Sequence, residues 1–339
     1  MIPYRTQQML KRLAVTLLIL LVVGAFVWGL WVVWLQRFVV YTRNEGAVLN
    51  FEAQAIRNDG QMAAAPDNDL QIEIHYNEGD DQVNLSKELA QFAGYYVTSS
   101  ALVKNPTAVW EQIQELPTGT AVMVDMKSIY GSFYYTTGTG RPQSDSVDPA
   151  EVDQLIQNLR SSGYYAIARV PALRDKEYGR ENTRSGLPTS GGYLWMDDDG
   201  CYWLNPTKED VVTYLIKIAT ELKELGFDEV VFDDYCFPKT KQIVFKKDKK
   251  DALASTAQAI VTNCATDYFA VSFVGDGSWT MPTGRSRLYV EGMDTPEDLT
   301  ALAQELGLTD PAIRLVCLTS NLDTRFDTYS VLRPIKLAH

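Results

Sequence analysis

Residues 205–234 read Asn-Pro-Thr-Lys-Glu-Asp-Val-Val-Thr-Tyr-Leu-Ile-Lys-Ile-Ala-Thr-Glu-Leu-Lys-Glu-Leu-Gly-Phe-Asp-Glu-Val-Val-Phe-Asp-Asp. Val211, Val212, Leu215, Ile216, Ala219, Leu222 and Leu225 recur at helical spacing and form one apolar stripe, while Lys217, Glu221 and Glu224 face away. Gly226 stops that helix, because a residue without Cβ takes the left-handed conformation of a helix end at little cost. Glu229 to Asp233 then runs short and almost wholly apolar, the pattern of a strand buried on both faces. A helix with one buried face feeding a strand with two is the repeating unit of a parallel α/β fold.

The alternation extends in both directions. Strands are expected at Gly94 to Thr98, Ala121 to Asp125, Tyr165 to Val170, Phe269 to Val274, Leu288 to Glu291 and Ile313 to Leu318. Asn105-Pro106, Asp148-Pro149, Asn205-Pro206 and Thr295-Pro296 each set a capping side chain before a proline whose missing N–H costs nothing at a helix start. Gly163 and Gly307 stop two more helices, and Lys246 to Lys250 reads as a solvated helix start. Such units over about 250 residues, with no Gly-rich phosphate loop after the first strand, indicate a (β/α)8 barrel of TIM type rather than an open sheet. Seven strands are legible. The eighth is missing, degenerate, or supplied by Leu70 to Tyr76, where Leu70, Ile72, Ile74 and Tyr76 alternate.

The N-terminal region follows other rules. Leu13 to Leu35 carries no charge and, at 1.5 Å per residue, is long enough to cross a hydrocarbon core. One transmembrane helix is expected. A cleaved signal peptide, the competing reading, would have a shorter apolar region ending in small residues, whereas Trp31, Val32, Val33 and Trp34 close this one. Arg5, Lys11 and Arg12 before the segment outnumber Arg37 and Arg43 after it, which places residues 1–12 in the cytoplasm. The expected organisation is thus a tail (1–12), an anchor (13–35), a linker or stalk (36–69) and an extracytoplasmic barrel domain (70–339, core from about residue 94) of a single-pass cell-membrane protein.

The formal net charge of the 339 residues is −12, and the five cations of the first 50 residues face only Glu45, so the acidity belongs to the domain. A nucleic-acid partner is excluded on that ground, since phosphate binding needs a basic surface. With only His75 and His339, neither a His-rich metal site nor a Ser-His-Asp triad has the residues it requires, and no cofactor or metal is expected. Cys201, Cys236, Cys264 and Cys317 match no zinc spacing. Cys264 and Cys317, in apolar runs, read as buried thiols, and Cys201 to Cys236 is the most favoured bridge, with free thiols the expected state.

In such barrels the reactive groups project from the C-terminal ends of the strands. Polar residues directly after apolar runs are Asp125 and Lys127, Arg169, Asp233 and Asp234, Asp276, and Glu291 with Asp294. Paired carboxyl groups across a sugar act as acid and as nucleophile or base, at roughly 5 to 5.5 Å for retention and 6.5 to 9.5 Å for inversion. The bland alternative is that each carboxylate caps a helix or pairs with Lys127 or Arg169. Aromatic rings in nearby loops suit the apolar face of a pyranose; the candidates are Tyr130, Tyr134, Tyr135, Trp203 and especially Trp195 and Trp279, in Gly-rich polar loops.

The run Gly226-Phe227-Asp228-Glu229-Val230-Val231-Phe232-Asp233, closing with Phe237-Pro238, resembles the Gly-Phe-Asp-Glu-Ile-x-Phe-Asp-Tyr-x-Arg-Phe-Pro signature of the glycosyl hydrolase-like family of bacterial extracytoplasmic TIM-barrel domains. Gly94-Tyr95-Tyr96-Val97, Val122 to Lys127, Tyr165 to Arg169 and Trp203 to Pro206 are similar to its other blocks in the same order. The resemblance covers about residues 90–240. It implies a polysaccharide-directed barrel related to amylase-like hydrolases, with the signature Asp at Asp233 and the second-strand Asp at Asp125. Two positions depart from the family: Asp234 stands for Tyr and Cys236 for Arg, which puts activity in doubt if that Arg orients the nucleophile.

The expected function is hydrolysis of a cell-envelope or extracellular polysaccharide. Asp233 is the expected nucleophile or base, and Glu291, the only Glu at a strand end, is the acid, with Asp125 able to replace it. Lys127, Arg169, Asp234, Asp276, Tyr130, Trp195 and Trp279 would bind the substrate. The alternative is a non-catalytic glycan-binding or envelope scaffold protein that kept the barrel, and Cys236 is the feature in its favour.

Overall fold

The structure is a computed structural model. It describes Trp28, Val39–Thr42, Gly46–Leu49 and residues 88–336. Val39–Thr42 and Gly46–Leu49 pair as two antiparallel strands, Val39 opposite Leu49, inside the stretch expected to be a linker or stalk. Among the described residues no helix is long and apolar enough to cross a membrane. The anchor expected at 13–35, apart from Trp28, lies outside them, as do Leu70 to Tyr76 and the greater part of the expected stalk.

The second compact unit, residues 81–339, is a closed barrel of eight parallel strands. They are β1 (Ala93–Val97), β2 (Ala121–Asp125), β3 (Tyr165–Pro171), β4 (Glu229–Asp233), β5 (Ala270–Val274), β6 (Leu288–Glu291), β7 (Leu315–Leu318) and β8 (Ser330–Pro334), each beside its neighbours in sequence, with β8 closing on β1. All seven legible strands form. The eighth is neither missing nor degenerate: it is Ser330–Pro334, whose Val331 pairs with Ala93 and with Cys317. Gly94 is required where β1 and β2 meet, because a Cβ there would lie 1.9 Å from the Ala121 carbonyl oxygen.

Helices alternate with the strands except between β5 and β6, where a loop connects the two. The helix of the opening stretch is Glu209–Leu225, ended by Gly226 at φ 95°. It starts later than Asn205-Pro206 suggests. The Asn205 carboxamide and carbonyl instead accept from the N–H groups of Thr207 and Lys208, so the capping residue closes a turn and Lys208 occupies the N-cap without a side-chain bond. The other three starts hold: Asn105 and Asp148 accept from the first turns of their helices, and Thr295 with Asp298 forms a capping box. Asp248 caps Lys249–Cys264, as the lysine-rich helix start predicts.

Alternation along each strand sorts the barrel interior into layers. Met123, Ile167, Val231, Tyr289, Val316 and Leu332 pack together as the apolar middle. One step toward the N-terminal ends lie Tyr165 and Glu229. Arg287, just before β6, joins them, ion-paired to Glu229 and donating to the Tyr165 hydroxyl at 3.1 Å. One step toward the C-terminal ends, the same register brings Asp125, Arg169, Asp233 and Glu291 to the rim. The apolar middle thus separates two polar ends.

Candidate active site

Arg169 is the hub of the rim. Its Nε lies 2.6 Å from Asp125 Oδ1, and its Nη1 lies 3.4 Å from Glu291 Oε1 and 3.7 Å from Asp233 Oδ2. Since the last two oxygens contact one nitrogen, the sum of those distances bounds their separation at about 7 Å. Burial alone would lower the basicity of Arg169. The hydrogen bond and charge of Asp125, with the charges of Asp233 and Glu291, outweigh it and raise the guanidinium above its usual range.

The three carboxylates are held differently. Asp125 has both oxygens engaged, Oδ1 by Arg169 and Oδ2 by the Ser99 backbone N–H at 2.7 Å. Asp233 accepts from the Asp234 N–H at 2.7 Å through Oδ1, leaving Oδ2 only the long contact to Arg169. Glu291 is the most open, its side chain 55% exposed. Lost hydration and then the Asp233 charge raise its pKa, against the pull of Arg169. An oriented Asp233 facing a carboxyl group biased toward its protonated form is a division of labour that acid/base chemistry requires.

Two lobes of one cleft meet at Arg169. The first, about 330 Å³, is lined by Ser99, Asp125, Lys127, Tyr130, Tyr134, Asp233 and Asp234 among others. The second, about 590 Å³, is lined by Tyr96, Thr98, Glu291, Asp294 and the Thr319-Ser320-Asn321 run after β7. Arg169 lines both, and its guanidinium stands 6.0 Å from the Tyr96 ring centroid.

Asp234 has φ 49°, the only non-glycine residue at positive φ among the described residues. Asp tolerates that conformation better than the Tyr of the family signature would. Burial and the adjacent Asp233 raise its carboxyl to about 6, while Arg174 and Lys127 pull it down and Asp197 pushes it up.

The remaining sequence candidates take other places. Lys127 lines the first lobe, but its ammonium is fully buried, 2.8 Å from Asp175 and 3.1 Å from the Pro171 carbonyl. Tyr130 is 48% exposed on the same lobe. Trp279 is 4% exposed and packs edge-on against Tyr235 and Phe273, a ring committed to the core. Trp195 is half-buried against Trp203, with its indole N–H on Gln242. Asp276 is exposed and caps its own turn by accepting from the Ser278 N–H. None of these last three lines either lobe. All four cysteines are free thiols, Cys236 exposed and the others buried, so the favoured Cys201 to Cys236 bridge does not form. Reasoning from strand ends missed Tyr96, Ser99 and Thr319 to Asn321, although the last three directly follow an apolar run.

Residues 94–269 match the family model described as "Putative glycosyl hydrolase domain". No curated protein sequence matches the chain. Among solved structures, a hypothetical protein from Ruminiclostridium thermocellum is similar at 21% identity over 52% of this chain and 96% of that one, TM-score 0.46. The glycoside hydrolase domain of PelA from Pseudomonas aeruginosa is similar at 12% identity over 73% of this chain and 96% of that one, TM-score 0.45. An α-galactosidase from Lactobacillus brevis is similar at 10% identity and TM-score 0.49, over 74% of this chain; the chain spans only 38% of that enzyme's length.

Proposed function

Because the chain belongs to the family of that glycosyl hydrolase domain, we propose that it hydrolyses a glycosidic bond of an extracellular or cell-envelope polysaccharide, with Asp233 as nucleophile or base and Glu291 as acid. The observation that carries the reading is the shared guanidinium nitrogen, which holds the two carboxyl oxygens within about 7 Å. Paired-carboxylate hydrolysis works over that span, and the non-catalytic alternative is better served by carboxylates more than about 10 Å apart. Glu291 protonates the leaving oxygen, and its open side chain lets it reach the glycosidic bond. Asp233 attacks the anomeric carbon or activates the attacking water through its freer oxygen. Asp125, with both oxygens engaged, positions Arg169 rather than reacting. Tyr130 and Tyr96 offer rings for stacking on a pyranose. The apolar segment 13–35 would hold the domain at the outer face of the cell membrane, within reach of such polymers.

The test is release of reducing ends by the full-length chain from a panel of polysaccharides including peptidoglycan. Asp233→Asn and Glu291→Gln should each lower turnover of whatever is cleaved by at least about a hundredfold. Full activity in Asp233→Asn would sink the assignment, and glycan binding without turnover by the wild type would favour the scaffold reading.

A further inference from the structure

Hydrolysis needs two carboxyl groups, and Asp233 and Glu291 supply them, which leaves Asp234 unexplained. Its backbone occupies a conformation that L residues other than Asn and Asp rarely adopt, and its side chain lines the first lobe. Its carboxylate is half-buried, and among the described residues no group donates a hydrogen bond or forms an ion pair to it. Every cation nearby is committed elsewhere: Lys127 to Asp175, Arg174 to Asp197 and Asp199, and Arg169 to the other three rim carboxylates. The lobes together present Asp125, Asp233, Asp234, Glu291 and Asp294 against two cations, Lys127, buried in its pair with Asp175, and Arg169, shared among Asp125, Asp233 and Glu291.

We propose that Asp234 selects the substrate by pairing with a ligand ammonium group, so that the glycan taken by this cleft is an amino-sugar polymer with free amines. The inference rests on the glycoside-binding reading of the cleft and adds the class of sugar. A uronate or sulfated sugar would be repelled by the surplus of carboxylates. A neutral sugar offers only hydroxyl donors, which leave the repulsion between Asp233 and Asp234 in place. An ammonium supplies both the donor and the countercharge, as a charge-assisted bond does. Acetylation of the amine removes that charge, so the cleft would distinguish the free amine from its acetamide.

Titration calorimetry of the full-length chain at pH 7 reads this directly. The probes are glucosamine and galactosamine oligosaccharides, their fully N-acetylated counterparts, and oligogalacturonate. At least one amino oligosaccharide should bind about tenfold or more tighter than its acetylated partner, and oligogalacturonate should bind more weakly than either. Asp234→Asn should collapse that ratio to about one; Asn tolerates the same backbone conformation, so the loop should survive the change. Glu115→Gln, which removes a charge at an exposed position outside both lobes, should leave the ratio intact. Equal or tighter binding of the acetylated sugars overturns the amine proposal while leaving glycan binding in place. A ratio unchanged in Asp234→Asn overturns the role of Asp234. Failure of every amino sugar to bind overturns the proposal itself.

Discussion

Replacing Arg287 by Met tests whether the ion pair at the base of the barrel sets the register of β4. Arg287 is 1% exposed and Glu229 fully buried. Besides that pair, the guanidinium donates to the Tyr165 hydroxyl, the Ala90 carbonyl at 2.8 Å and the Ile313 carbonyl at 3.0 Å, and it lies 4.7 Å from the Phe92 ring centroid. Met keeps much of the side-chain volume and removes all donors. Loss of one partner of a buried pair costs about 3 to 5 kcal/mol. Urea unfolding of the full-length chain, followed by tryptophan fluorescence, should show a loss of about 3 to 5 kcal/mol at pH 7. The double variant Glu229→Gln/Arg287→Met should recover a large part of it. A loss below about 1 kcal/mol would show that the pair does not hold β4 in place. The outcome bears on the active site, because Glu229, Val231 and Asp233 share one face of β4 and whatever holds Glu229 inside holds Asp233 at the rim.

Two further outcomes follow from the same structure. Asp234→Asn should stabilise the protein at pH 7 by on the order of 2 kcal/mol, because a carboxyl raised to about 6 in the fold costs stability as pH rises from its unfolded value of 3.8 to about 6 and the cost stays in full above that; in thermal melts the gain should vanish near pH 4, and a gain independent of pH would contradict the assignment. Without reductant, mass spectrometry after denaturation should count four alkylatable thiols, and in the native state only Cys236 should react, slowly at neutral pH because burial and then the charges of Asp234, Asp233 and Asp276 push its thiol up to about 11; protection of Cys236 and Cys201 together after denaturation would indicate the bridge that the structure lacks.

Where period and punctuation agree, the fold was open to inspection in the sequence. Glu209–Leu225 and β4 carry a full helical stripe, a terminating glycine and an apolar run, and each forms where those signals stand. β8 was hidden because Ser330–Pro334 offers three interior positions and a proline, and only pairing on both sides, with β7 and β1, makes it a strand. The rim carboxylates were legible for a physical reason: strand ends are where an alternating chain first meets solvent inside the barrel. What the aromatic candidates do was not legible. Trp279 and Tyr130 both sit in polar, Gly-containing loops, and only tertiary packing decides that the first faces Phe273 and the second the cleft.

The family signature has an arginine where this chain has Cys236, three residues past the end of β4, and its loss would leave Asp233, the proposed nucleophile, without an orienting cation. In this chain the cation comes from the adjacent strand, because Arg169 on β3 pairs in register with Val231, two residues before Asp233 on the same inward face. Two residues along a strand are roughly 6.6 Å, which an arginine side chain leaning toward the rim spans. From there it reaches Asp125, Asp233 and Glu291 at once, and no longer side chain at 236 is needed for the contact. The exchange of Arg for Cys therefore removes a charge from the loop without removing it from the site. The rim is left more acidic, and Asp234, beside the proposed nucleophile Asp233, is left as the carboxylate that the proposed ligand ammonium would answer.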